Sequence, residues 1–348
     1  MMEKKVIINS GYQNKYGLPV TEDSLFQIGS ISKSFLSVVV LQLEAENKLN
    51  IENTVEDFFP NRYPKWNKIT IKKLLNMTSG IFDYFNDDNK LLNEIGKNPY
   101  KYYSTDDLLD LVKEKELWFN PGSNWKYSNT NYVILGKIVE KVTHQTIAHE
   151  IHKRIIKPLK LSYTYYLINF PKIDIPSSQE KNMMDGYYFN DEQNQFPPYL
   201  VNGKGVINYS ISITNAAGSI TSNVKDLNKY LHALFKQDYN GNSKLLAKAQ
   251  FEELVSLVDL ANGKPLTHRV NKENTNGYGL GIFASYDSST NLRFYSHSGQ
   301  TLGFNSYWSF NPEKNSSVVL SLNSSGFSNN FNEEINKPLS SFLNINCF

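Results

Sequence analysis

The chain has 348 residues, of which 40% are hydrophobic and 20% charged, and its net charge is +2. That length supports a large core in one or two domains. The near-balanced charge, with no basic block, excludes a surface built to track a nucleic-acid backbone. A single cysteine, Cys347, rules out an internal disulfide and argues against a thiolate metal site. The six histidines lack metal-ligand spacing, so neither metal nor other cofactor is expected. No apolar run is long enough to span a membrane, and no signal peptide is read at Met1.

In chain order, Lys5–Tyr12 reads as a strand and Asn14–Asp23 as a turn-rich connection. The short apolar run Leu25–Ile28 is punctuated by Gly29 and Ser30, after which Phe35, Val39 and Leu43 recur at helical spacing. Ser30 therefore lies near a helix start, and Lys33, three residues on, shares its face. The partial positive charge of the helix N-terminus and apolar burial both push Lys33 toward the neutral amine. A free serine is a poor nucleophile and needs such a base. Taken alone, the tetrapeptide is read in preference as a capping serine followed by a solvent-facing lysine, and other segments have to shift that balance.

Helical pattern returns at Asp106–Glu116, Tyr132–Val142 and Lys153–Leu159. After the turn Pro121-Gly122, Tyr127 and Asn129 fall on the loop entering the Tyr132 helix. A phenol beside a lysine can exchange protons with a leaving group, and an asparagine amide both donates and accepts. Asn131 is expected to cap that helix, Met77 to pack, and His144 and His149 to lie at the surface. Residues 168–209, rich in Asn, Pro, Gly and Tyr, read as a long loop over the site, either a substrate-selecting lid or a plain insertion. A helix at Lys225–Phe235 precedes strands at Tyr278–Tyr286, Leu292–Ser296, Asn305–Asn311 and Ser317–Leu322. His297 then sits at a strand end, beside Gly299, which opens the backbone to a ligand. A last helix is expected over about Asn330–Leu343.

Three motifs in this order, Ser30-x-x-Lys33, Tyr127-x-Asn129 and His297-x-Gly299, resemble the penicillin-recognising serine hydrolases. That branch holds class C β-lactamases, DD-carboxypeptidases and related esterases. Further blocks carry the resemblance: Leu74-Leu75-x-x-Thr78-Ser79-Gly80, Pro121-Gly122 through Gly136, Ala217-Gly218-x-x-x-Ser222 with Asp226-Leu227, Tyr278-Gly-Leu-Gly281, and Gly303-Phe304. The resemblance implies an α+β fold of the β-lactamase/transpeptidase type, an antiparallel sheet flanked by helices from both termini plus a mainly helical region. Residues 1–29 and 236–348 would form the sheet region and 30–235 the helical one, with the active site between them.

The same resemblance implies roles. Ser30 would be acylated and Lys33 would accept its proton. Tyr127 would shuttle protons, and Asn129 would hold the substrate beside the scissile bond. His297 and Gly299 would line the substrate site, with the N–H groups of Ser30 and Gln300 forming the oxyanion hole. His297-Ser298 stands where class C β-lactamases have Lys-Thr, which argues against β-lactam hydrolysis as the main reaction. Relatives carry a helix and a strand before the segment matching Lys5–Tyr12, so either the sequence starts late or the sheet lacks an edge element. An exported location follows from the resemblance if the start is truncated, and the chain itself leaves it open.

The expected activity is a serine hydrolase working through an acyl-enzyme on a small amide or peptide bond, DD-carboxypeptidase-like. Carboxylester hydrolysis on the same fold and a non-catalytic binding role are the alternatives. The expected partner is a small-molecule or peptide substrate, peptidoglycan fragments included, with no nucleic acid. The oligomeric state is not legible.

Overall fold

A computed structural model describes residues 5–86, 90–167, 175–189, 203, 205–206 and 209–326. The architecture is α+β. Five consecutive strands, Asn276–Tyr278, Phe283–Asp287, Leu292–Thr301, Phe304–Asn311 and Ser316–Leu322, pair antiparallel in chain order. A smaller antiparallel sheet sets Ile220–Ser222 between Phe26–Gln27 and Tyr165–Tyr166. Tyr187–Phe189 pairs in parallel with Ser324–Gly326.

The helix Ser32–Ala45 runs through the middle of the core. Its apolar residues from Phe35 to Leu43 are buried on every face, as expected of a helix surrounded by other elements. Its serines are buried too, and each has a partner. Ser32 Oγ accepts from the Ile220 N–H, Ser34 Oγ from the Tyr230 hydroxyl, and Ser37 Oγ donates to the Lys33 carbonyl. The helix Asn129–Thr143 packs beside it. A third helix, Val224–Phe235, lies on the sheet, where the Phe235 ring stacks on Tyr295 and Phe310 with centroids 5.1 Å apart in both cases.

Several sequence expectations are corrected. Lys5–Tyr12 is not a strand: among the described residues its one ladder contact is a bridge from Tyr12 to Pro19, and Val6 and Ile8 are 61% and 67% exposed. No strand among the described residues pairs with it, and a lone extended segment gains nothing from propensity. The helix expected over Asp106–Glu116 spans Thr105–Asp110, opened by a Ser104–Asp107 capping box. Beyond Val112 the run Lys113-Glu-Lys-Glu116 offers no apolar face to continue it. The strand expected to stop at Ser296 continues to Thr301, because His297 pairs with Trp308 and Gln300 with Asn305. His297 and Gly299 are thus mid-strand residues. The expected C-terminal helix and Cys347 lie outside the described residues, as does most of the 168–209 segment. Among the described residues, no helix is long and apolar enough to cross a membrane.

Two glycines let the sheet meet the start of the central helix. A Cβ on Gly299 would stand 1.9 Å from the Ile28 carbonyl oxygen, and one on Gly29 would stand 2.6 Å from the Gln300 nitrogen. Gly29 also has φ of +50°, a region L side chains enter only with strain. The space at Gly299 that suggested ligand access is taken by the protein's own backbone. Gly299→Ala is expected to destabilise the fold by about 1–3 kcal/mol through overpacking, read as a lower melting temperature.

Candidate active site

Ser30 lies in a single 3-10 turn, Gly29–Ile31, that leads directly into the Ser32–Ala45 helix. Lys33, in the first turn of that helix, is fully buried. Its Nζ meets three oxygens: Ser30 Oγ at 2.9 Å, Asn129 Oδ1 at 2.8 Å and the Ala217 carbonyl at 2.9 Å. Two of those three, the amide oxygen and the backbone carbonyl, can only accept. When Lys33 is neutral, its two N–H bonds satisfy them and its lone pair is left pointing at the Ser30 hydroxyl. Two obligate acceptors around one tetrahedral nitrogen thus leave its third position, toward Ser30 Oγ, for the lone pair of the neutral amine.

Burial lowers Lys33 from its usual value to about 7, with the negative charge of Asp83 acting in the opposite sense. The Nζ also lies 4.9 Å from the Tyr127 ring centroid and 5.5 Å from that of Tyr132, which favours the ammonium to a lesser degree. A base titrating near 7 is half available at neutral pH.

Tyr127 precedes the Asn129–Thr143 helix, and its buried hydroxyl has no partner of good hydrogen-bond geometry. Burial pushes the phenol well above its usual range, while the nearby Ser30 hydroxyl favours ionisation more weakly. Tyr127 is accordingly held as the neutral phenol. Asn129, expected on the entering loop, is the first residue of the helix itself, with Ser128 at the cap position. Asn131, expected as a cap, is instead buried inside the helix and accepts from the Ser79 hydroxyl at 2.7 Å. Met77, expected only to pack, also accepts through sulfur from the Ser128 N–H and the Asn131 amide, each at 3.4 Å. These bonds tie the Thr78-Ser79-Gly80 turn to the start of the helix. His144 and His149 are exposed as expected.

His297 is 1% exposed, with its ring among Tyr127, Tyr278 and Phe283 at centroid distances of 6.4, 6.3 and 5.3 Å. Burial, aided by the charge of Lys33, pushes it down to about 3, so it is neutral. Nδ1 lies 2.6 Å from the Ser298 carbonyl oxygen. A carbonyl cannot donate, so Nδ1 carries the proton and Nε2 is a bare acceptor. That Nε2 is buried without a partner.

Two groups at the site escaped the sequence reading. The Ala217 carbonyl comes from the Ile211–Ala217 turn, whose family-like sequence was noticed but whose role as an acceptor was not. Asp83, three residues after Gly80, is 5% exposed and accepts from Asn129 Nδ2 at 3.0 Å and from the Phe85 N–H at 3.2 Å. Burial raises its carboxyl above the usual range, opposed by those hydrogen bonds and by Lys33. No metal-binding cluster of His, Cys, Asp or Glu occurs among the described residues.

A family model described as Beta-lactamase matches residues 3–336. The chain belongs to this family, the penicillin-recognising serine hydrolases. It is 28% identical over 329 residues to Protein flp of Staphylococcus aureus strain MRSA252, covering 92% of this chain and 57% of that one. It is also 28% identical over 298 residues to Penicillin-binding protein 4* of Bacillus subtilis strain 168, covering 82% and 58%. The chain thus spans somewhat over half the length of these curated relatives.

Among solved structures, the D-stereospecific amidohydrolase from Streptomyces sp. superposes with a TM-score of 0.71 at 28% identity, covering 87% of this chain and 83% of that one. The D-amino acid amidase from Ochrobactrum anthropi SV3 reaches a TM-score of 0.75 at 24% identity, covering 96% and 87%, and shares the fold.

The poise of Lys33 gives a directional pH prediction. Activity that needs the neutral amine is absent at low pH and rises as pH passes through about 7. A kcat/KM profile on an uncharged ester is expected to have its acid limb there. Lys33→Arg, which stays charged, is expected to abolish activity at every pH.

Proposed function

We propose that this chain hydrolyses a small amide or peptide bond through an acyl-enzyme on Ser30. The observation that carries this reading is the 2.9 Å contact between Lys33 Nζ and Ser30 Oγ, made by a fully buried lysine that burial lowers to about 7. In the first step the Ser30 hydroxyl proton passes to Lys33 Nζ while Oγ bonds to the substrate carbonyl carbon. The developing oxyanion is held by the N–H groups of Ser30 and Gln300, each worth on the order of 3 kcal/mol in comparable hydrolases. Collapse of the tetrahedral adduct breaks the carbon–nitrogen bond, and the departing amine takes a proton from the Lys33/Tyr127 pair. A water molecule, deprotonated by the same pair, then frees the acyl group and restores the Ser30 hydroxyl.

Within that chemistry the substrate class we favour is the D-amino-acid-type amide, the bond type common to a DD-carboxypeptidase-like enzyme and an amidase. The likeness to a D-stereospecific amidohydrolase at 28% identity supports it. His297 divides the two. Its bare Nε2 suits a substrate N–H or O–H and repels a carboxylate, which a lysine at this position would attract. The amide or ester without a free carboxylate beside the scissile bond is therefore the better fit. Carboxylester hydrolysis uses the same groups and is separated by substrate profiling with short-chain p-nitrophenyl esters against D-Ala-D-Ala peptides.

Intact-mass spectrometry after treatment with a fluorophosphonate and, separately, with benzylpenicillin tests the acyl-enzyme. A fluorophosphonate adduct is expected on the wild type and none on Ser30→Ala, while benzylpenicillin, which carries a free carboxylate, is expected to label the wild type more slowly than it labels His297→Lys. Label from the fluorophosphonate alone would shift the reading to an esterase, and no label from either would leave a binding module. A second variant, His297→Lys, is expected to lower KM for peptides ending in a free carboxylate relative to their amides. An unchanged acid-to-amide preference in steady-state kinetics would refute the role given to His297.

A further inference from the structure

Asp83 has no part in the bond-making steps, yet it is a buried carboxylate two contacts from the base. The contacts run in one line: Asp83 Oδ2 accepts from Asn129 Nδ2 at 3.0 Å, and Asn129 Oδ1 accepts from Lys33 Nζ at 2.8 Å. An asparagine amide is nearly symmetric in shape and can sit in its site in either of two orientations. In one, its oxygen faces Lys33 and occupies an N–H. In the other, its NH2 faces Lys33 and donates into the lone pair that the base needs. An ionised carboxylate accepts only, so it pairs with the NH2 end and excludes the second orientation.

We infer that Asp83 is a positioning residue that locks the Asn129 amide and thereby aims the Lys33 lone pair at Ser30. The inference rests on the acyl-enzyme reading above. Asp83 is itself fixed from the far side, since its Oδ1 takes the Phe85 N–H in the turn Tyr84–Asn86. The turn is anchored in its own right: the Tyr84 N–H donates to Thr130 Oγ1 and the Tyr84 hydroxyl to the Ile213 carbonyl. The lock thus joins the Thr78-Ser79-Gly80 segment, the Asn129 helix and the turn that carries the Ala217 carbonyl.

The titratable groups facing Lys33 are Asp83, the phenols of Tyr127 and Tyr132, and His297. The phenols are held neutral by burial, and His297 is neutral as well. Asp83 is the group among them whose negative charge supports the Lys33 ammonium against burial. Removing that charge lowers Lys33 further.

The test is Asp83→Asn, which keeps the shape and an acceptor for Phe85, assayed as kcat and KM against pH on a short-chain p-nitrophenyl ester. The expected result is a fall in kcat of roughly ten- to a hundredfold, the scale of a misaligned catalytic group. KM should change little, and the acid limb should move to lower pH than in the wild type. In an Asn129→Ala background the same substitution is expected to add no further loss, because Asp83 acts through Asn129. Wild-type kcat, losses that multiply in the double variant, or an acid limb that stays in place would each overturn the inference. Asp83→Ser, which also retains an acceptor, is read by the same criteria if Asp83→Asn does not fold. Fluorophosphonate labelling of wild-type Ser30 separates the two levels. A wild type that does not label sinks the acyl-enzyme reading itself, whereas a labelled wild type with an unmoved Asp83→Asn profile sinks only the role of Asp83.

Discussion

A lysine with no solvent contact is the constraint on which the rest of the site depends. Taking an ammonium out of water disfavours its charged form, and here that effect brings Lys33 to about 7. Burial alone would produce only an unreactive amine. What makes it a base is that its surroundings satisfy two N–H bonds with groups that cannot donate back, Asn129 Oδ1 and the Ala217 carbonyl. The central helix has to be buried on all sides for this to work. That in turn explains why its serines turn inward to bond neighbouring elements instead of facing solvent.

The second constraint is backbone proximity. The Leu292–Thr301 strand lies against Gly29 and Ser30, as the proposed pairing of the Ser30 and Gln300 N–H groups on one oxygen requires, and side chains at the crossing would hold the two backbones apart. Gly29 and Gly299 remove those side chains, leaving Ile28 and Gln300 as immediate neighbours. Ser306 Oγ then donates to the Ile28 carbonyl at 2.9 Å, tying the adjacent strand to the same point. The Gly29–Ser30 backbone is thus held by the sheet as well as by the helix it enters.

Legibility in the sequence followed the range of the interaction. Ser30 and Lys33 lie within one helical turn, so spacing put their contact within reach although the tetrapeptide alone favoured a solvent-facing lysine, and the contact is present at 2.9 Å. Tyr127, Asn129 and His297 come from distant segments, and only their order along the chain brought them into one reading. Asp83 was invisible because its role passes through Asn129, 46 residues away, and an isolated aspartate after a turn carries no periodic signal. The Lys5–Tyr12 segment misled in the opposite way. Alternation is a statement about a partner that covers one face, and here neither Val6 nor Ile8 is covered. His297 was misplaced to a strand end because Gly299 reads as a breaker, whereas its real use is to admit the Ile28 carbonyl into close contact.

The neutral state of His297 bears on the base as well as on the substrate. With lysine at that position, the site would hold a second cation facing Lys33, and repulsion would drive Lys33 further toward the free amine. With a neutral imidazole, Lys33 has only burial working against Asp83. A substrate carboxylate entering here would add a second anion, favour the ammonium and hold the proton on the base when it has to be free. A substrate without that charge leaves the balance between burial and Asp83 intact. In the proposed reaction, the histidine that removes an attraction for carboxylates would therefore also make Lys33 sensitive to them, and both effects would favour uncharged amides and esters.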